Sequence, residues 1–341
     1  MALSVLILGV EGDWGLMGSY GRGFKNCGAN VHYWDLGAAV ERYARLGPLG
    51  RTFSQFVPVE AWALKANRDL INKVIALSPD LLVWAGADVR AGAIAQIKVA
   101  RPNTKVVLVW PDTLLNLSDR LIECSRVADL VAAYSSGAVV QFERLGARKV
   151  VWTPFAVDGE LFPSSVETSS EERRKFICDV SFIGNFRPER EQQILRLLDA
   201  GVAVKVWAAH TWPKLAKDKS QLERYFQGGP LLGAEMVKAM RCSTLALNLI
   251  DPMNFPGANM RVFETYACGA TPLCSRCPEI EPVFPEGKSA FYFDDDSLVA
   301  VTKELLRDPV RIKAVGEHGR DQALAGHTYA HRAQAILDAV S

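Results

Sequence analysis

Cys178-Asp-Val-Ser-Phe-Ile-Gly-Asn-Phe-Arg-Pro-Glu-Arg190 is an apolar run that stops in a glycine turn and opens a helix. It begins a pattern for the second time. Before it, Ser4 to Leu8, Asn30 to Trp34, Leu81 to Ala85 and Lys105 to Trp110 read as buried strands rich in Val, Leu and Ile. Shorter runs at Leu130 to Ala133 and Val150 to Trp152 complete that set. Helices are expected between them at about 17–27, 60–77, 90–100, 117–126 and 136–145. After it come strands over Val202 to Ala208, Thr244 to Ile250, Thr271 to Cys274 and Phe291 to Phe293. The helices of this second set fall at about 189–200, 234–241, from Asn259, and at about 296–307, 309–323 and 328–340. Continuously apolar strands alternating with helices predict an α/β fold whose parallel sheets are covered on both faces.

Between the two sets the text turns polar from Asp158 to Lys175, as an interdomain connection does. A chain of 341 residues suits two domains. The expected division is a Rossmann-like domain over 1–160 and a second over 175–327. Ligands of open parallel sheets sit beyond the carboxyl ends of the strands. Two such sheets facing each other predict a cleft.

Hydrophobic residues make up 49% and charged residues 23%, with a net charge of +1, which gives no global pull toward nucleic acid or anionic membranes. Met1 to Val10 is apolar but lacks a basic start and stops at Glu11-Gly-Asp13, so it reads as a first strand rather than a signal. No stretch predicts a transmembrane segment. Seven scattered cysteines suit reduced thiols in the cytoplasm better than a secreted disulfide framework. Cys274-x-x-Cys277 lacks a second ligand pair, and a structural role is expected.

Four loops are candidates to carry chemistry, and a fifth only resembles such a loop. The first, Gly9 to Gly21, has glycine at every third position, which lets backbone amides approach a ligand. Gly12 is a candidate donor contact there. Asp13, then Glu11, are candidates to contact or activate an acceptor hydroxyl, because burial raises a carboxylate's pKa toward that task. The second is Trp110-Pro-Asp112-Thr113, where Asp112 bonds hydroxyls or caps a helix. The third is Gly184-Asn185-Phe-Arg187, with Arg190 three residues on. Two arginines bring fixed positive charge to a diphosphate.

The fourth gives the strongest signal: Asn248-Leu-Ile-Asp-Pro-Met-Asn-Phe-Pro-Gly-Ala-Asn259-Met-Arg-Val-Phe-Glu264-Thr-Tyr-Ala-Cys-Gly269. Asn259 is placed as a helix N-cap and Gly269 as the C-cap. The helix start suits a phosphate, and Glu264 suits the hydroxyls of a ribose. Arg261 serves phosphate or orients Glu264 at i,i+3. The fifth, Asp294-Asp-Asp296, resembles an acidic metal motif, but its place before a helix points to capping. His327 and His331 are expected on the surface of the terminal helix.

Together these stretches resemble the GT-B glycosyltransferases of the CgeB-like (spore-maturation protein) group, over Asp179 to Gly184 with Arg190, Asn248, Asn259 to Gly269 and His327-Thr-Tyr-x-x-Arg332. The resemblance implies two Rossmann-like domains, a metal-independent site for a UDP- or GDP-linked sugar held mainly by the second, and a terminal helix, 328–341, packing back on the first. It implies no cofactor beyond that substrate. In related retaining enzymes a Glu-x7-Glu motif spans the fourth loop. Glu264 matches its second acid, whereas Pro256 stands at the first. The expected reaction moves a sugar to the hydroxyl of a glycan, protein, lipid or small molecule. Three rivals stay open, and two of them are enzymes: an NAD-dependent oxidoreductase using Gly9 to Gly15 with Asp35, and a nucleotide-sugar epimerase. A third is a sugar-binding subunit without activity.

Overall fold

Six of the apolar runs pair in parallel: β1 (Ser4–Leu8), β2 (Asn30–Trp34), β3 (Leu81–Ala85), β4 (Lys105–Trp110), β5 (Leu130–Ala133) and β6 (Val150–Trp152). Their order is β2-β1-β3-β4-β5-β6. Val5, Leu6, Ile7, Val83 and Leu108 are fully buried, as strands covered on both faces require. The computed structural model describes residues 2–12, 14–44, 59–86, 88–163 and 166–341. It divides into unit 1, Met1–Pro154 with Tyr329–Ser341, and unit 2, Phe155–Thr328.

Unit 1 carries helices α1 (Leu16–Asn26), α2 (Leu36–Tyr43), α3 (Glu60–Leu77), α4 (Ala91–Ala100), α5 (Asp119–Val127) and α6 (Ser136–Arg144). The helix α2 has no counterpart in the sequence reading. Asp35 caps it, its Oδ1 accepting the Ala38 amide at 2.8 Å.

Unit 2 repeats the construction with β7 (Cys178–Ile183), β8 (Val204–Trp207), β9 (Phe226–Gly228), β10 (Ser243–Asn248), β11 (Pro272–Ser275) and β12 (Phe291–Phe293). These six strands are also parallel, ordered β12-β11-β10-β7-β8-β9. The three-residue β9 is too short for a periodic signal.

Its helices are α7 (Ser170–Phe176), α8 (Pro188–Asp199), α9 (Trp212–Leu215), α10 (Leu222–Tyr225), α11 (Gly233–Cys242), α12 (Met260–Cys268), α13 (Leu298–Leu305) and α14 (Pro309–Gly326). The helix α7 lies inside the stretch expected to be a connection. Ser169 and Glu172 form a capping box there, a signature that the polar composition concealed. Glu172 also pairs with Lys238 on α11, so the segment is fastened to unit 2.

The last helix, α15 (Tyr329–Val340), packs on α1 within unit 1. Gly23 permits this approach: a Cβ there would lie 2.4 Å from the Tyr329 carbonyl oxygen. Tyr20 meets Tyr329 edge-on at 5.2 Å, and Arg332 Nε donates to the Pro154 carbonyl at 2.7 Å. Among the described residues no helix is long and apolar enough to cross a membrane.

Candidate functional site

Strand order locates the site. In unit 2 the chain winds from β7 outward to β8 and β9, then returns to lay β10, β11 and β12 on the other side of β7. The winding reverses between β7 and β10, and connections leave a crevice above the carboxyl ends at such a reversal. Two loops flank it, Gly184 to Arg187 after β7 and Leu249 to Ala258 after β10.

Arg190 fastens them together. Pro188 opens α8 at its first position, which places Arg190 in the first turn. Its Nη1 donates to the Asn185 carbonyl and its Nη2 to the Leu249 carbonyl, each at 3.0 Å. The guanidinium also lies over the Phe182 ring, 5.9 Å from its centroid. Burial lowers its pKa, and the Asp251 carboxylate opposes that effect. Arg187 stays 51% exposed, its Nε 3.2 Å from Asp251 Oδ2. Asp251 Oδ1 meanwhile accepts the Met253 amide at 3.2 Å.

These arginines open onto a cavity of about 730 Å³, closed by Phe255 from the β10 loop, Arg276 after β11 and Asp294 after β12. Arg276 holds three carboxylates: Glu281 at 2.8 Å, Glu286 at 3.0 Å and Asp294 at 3.4 Å. The hydrogen bond to Glu286 leads the upward shift of its pKa. The aspartate run therefore does not cap the next helix as expected. Ser297 holds the N-cap position of α13, and Asp294 turns back to Arg276 because a paired charge is better placed than a solvated one. Asp251 and Arg276 carried no sequence signal beyond an Asp-Pro turn and a strand end.

The helix α12 starts beside the same strand end. Asn259 occupies the N-cap position, yet its side chain accepts no amide. Its Nδ2 instead donates to Asn248 Oδ1 at 3.0 Å, and its buried Oδ1 has no partner among the described residues. The first-turn amides are left without a side-chain cap. One turn on, Arg261 Nη1 meets Glu264 Oε2 at 2.7 Å, with the Glu264 side chain only 17% exposed. Arg187 and Arg190 line the 730 Å³ cavity, whereas Asn259, Arg261 and Glu264 are not among its lining residues.

In unit 1 the winding reverses between β1 and β3. Gly12 turns there with φ +75°. Glu11 Oε1 pairs with Lys25 Nζ at 2.8 Å, both largely exposed. Asp13 lies outside the described residues. Asp112 is engaged locally: Oδ1 accepts the Thr113 amide at 2.7 Å and Oδ2 the Asn116 amide group at 2.8 Å.

Cys274 and Cys277 are buried free thiols. Burial pushes Cys274 up to about 12 and Cys277 up to about 11, so both are protonated at neutral pH. Cys277 donates to the Pro256 carbonyl at 3.2 Å, and Asn248 Nδ2 donates to Cys274 Sγ at 3.8 Å. Among the described residues no group of three or more His, Cys, Asp or Glu could hold a metal ion. His327 is not on the terminal helix surface as expected. It ends α14 and lies 5.3 Å from the Phe284 ring and 6.4 Å from the Phe263 ring.

Residues 188–338 match the family described as glycosyl transferase-like. No curated protein matches the chain in sequence. Solved structures match it nearly end to end. Sucrose-phosphate synthase from Thermosynechococcus elongatus aligns with a TM-score of 0.65 at 12% identity, over 99% of this chain and 97% of that one. The α,α-trehalose 6-phosphate synthase from Burkholderia multivorans aligns with a TM-score of 0.66 at 12% identity, over 99% and 98%. Anabaena HepE, solved in complex with UDP-glucose, aligns with a TM-score of 0.63 at 16% identity, over 98% of each chain. The fold is that of GT-B glycosyltransferases.

Proposed function

We propose that this protein transfers a sugar from a nucleoside diphosphate sugar to an acceptor hydroxyl, in the cytoplasm and without a metal ion. One observation carries the reading. At the reversal of the unit 2 sheet, Arg187 and Arg190 line a ligand-sized cavity, while the uncapped start of α12 adjoins the same strand end through Asn248 and Leu249. Both features favour an anion of high charge density. The match of residues 188–338 to the glycosyl transferase-like family and the UDP-glucose bound by Anabaena HepE support it.

In this reading Arg187 exchanges its Asp251 partner for the diphosphate, and Arg190 holds the two loops in position. Gly184 and Asn185 bring the β7 loop against the donor. The amides after Asn259 bind the leaving phosphate, so that charge developing on the departing diphosphate meets fixed donors. Glu264, oriented by Arg261, takes the ribose hydroxyls. Gly12 contacts the donor, while Glu11, Asp13 and Asp112 belong to the acceptor and the reacting sugar, with Asp13 the first choice for accepting the proton.

Thermal-shift titration tests the reading against the oxidoreductase. UDP or GDP is expected to raise Tm saturably and NAD to leave it unchanged. Saturable NAD binding lost on Asp35→Ala would overturn the proposal, although Asp35 already serves as the cap of α2. Transfer that persists in EDTA supports metal independence, and sugar-nucleotide conversion without any acceptor identifies an epimerase instead.

A further inference from the structure

A second cavity of unit 2, of about 490 Å³, lies at the amino-terminal ends of its strands. Ser243 and Thr244 open β10 there, Arg241 comes from the end of α11, and Lys313, Glu317 and Arg320 come from one face of α14. This is the opposite end of the sheet from the crevice that holds the proposed donor site.

Its electrostatics are unbalanced. Lys313 and Glu317 pair at 3.6 Å on the surface, where such a pair carries little energy. The Arg241 and Arg320 side chains make no hydrogen bond or ion pair with any described residue. Both are drawn to one backbone position. Gly269 ends α12 with φ +74°, and a Cβ there would stand 3.5 Å from Arg241 Nε and 3.8 Å from Arg320 Cδ. Arg241 reaches this helix end with its guanidinium and Arg320 with its aliphatic stem, so two positive side chains share it without a carboxylate partner among the described residues. The carboxyl end of α12 offers a counter-charge of only about half an elementary charge, too little to neutralise two arginines.

An anion completes this arrangement. Guanidinium forks match the oxygens of a phosphoryl group, and the Thr244 hydroxyl has no partner among the described residues. Met240 and Ile312 add apolar wall, and the volume suits a small ligand. We propose that Arg241 and Arg320 form a binding site for a phosphoryl anion, separate from the donor site and independent of the reaction assigned to it.

Inorganic phosphate is the probe, titrated at constant ionic strength against chloride while Tm is followed. A saturable rise is expected in the wild type and in Arg187→Gln, which removes the most exposed arginine of the other basic cavity. In the Arg241→Gln/Arg320→Gln double variant the apparent affinity is expected to fall about tenfold or more, from loss of two charge-assisted contacts. UDP titration of that variant should be unchanged where the wild type binds UDP. Phenyl phosphate separates the sources: tighter binding than phosphate marks a phosphate monoester, and equal binding marks free phosphate. If the double variant does not fold, Arg320→Lys decides, with weaker phosphate binding supporting the site and unchanged binding opposing it. No saturable rise in the wild type, or a rise lost in Arg187→Gln but kept in the double variant, overturns the proposal.

Discussion

The two units are built alike and spend their charges differently. Each has six parallel strands, but unit 1 runs β2-β1-β3-β4-β5-β6 whereas unit 2, counted from its own first strand, runs 3-2-1-4-5-6. At the carboxyl ends of the unit 1 strands three acids are bound locally: Glu11 to Lys25, Asp112 to Thr113 and Asn116, and Asp35 to the start of α2. At the unit 2 reversal Arg187 and Arg190 line a cavity, and the start of α12 is left uncapped. Two parallel sheets that each reverse their winding thus carry locally bonded acids in one unit, and cavity-lining arginines beside an uncapped helix start in the other. What distinguishes them is which polar groups local turns consume.

The sharpest way to break this contrast is Asp13→Asn. If unit 1 supplies acceptor chemistry, transfer should fall about a hundredfold, the scale of a lost general base. UDP affinity should stay within about twofold. A parallel loss of UDP binding, measured calorimetrically, would move donor recognition into unit 1.

A smaller effect compares Arg187→Ala with Glu11→Ala. The first should weaken UDP binding about tenfold through one lost charge-assisted contact. Its effect on unfolding should be slight, because the ion pair it gives up with Asp251 is half-exposed. The second should leave UDP affinity unchanged. Equal effects in the two variants would erase the distinction between the units.

The smallest effect concerns how α7 is held to unit 2. Lys238 and the Ser169 cap pull the Glu172 carboxyl down to about 2. A lowered folded pKa means this contact contributes fully above the ordinary carboxylate range and is lost as pH falls toward about 2. Acid unfolding of Glu172→Gln should therefore depend less on pH below about 4.5 than that of the wild type. Identical acid profiles would show that the capping box and the Lys238 contact do not hold the segment.

Much of the fold was legible. Strands β1 to β7 and β12 stand where their apolar runs placed them, because a strand buried on both faces must be apolar throughout. The α7 helix and α2 escaped because their signals are caps, one Ser-x-x-Glu and one Asp, in polar or glycine-containing text. Of the unit 2 site, the strand-end glycine, the two arginines and the helix start could be read from turn chemistry and charge. Asp251 and Arg276 could not.

The sequence by itself determined the strand and helix alternation, the two-unit division of the text, and which strand-end loops carry charge, because period, burial and turn residues are local properties. Only the tertiary structure decided where β9 joins the sheet. It also decided that Arg190 bonds the Asn185 carbonyl and the Leu249 carbonyl, the latter 59 residues along the chain, that Asp294 pairs with Arg276, and that Asn259 bonds Asn248 instead of capping α12. These are choices among partners distant in the chain, and no local pattern records which one the folded chain brings within reach.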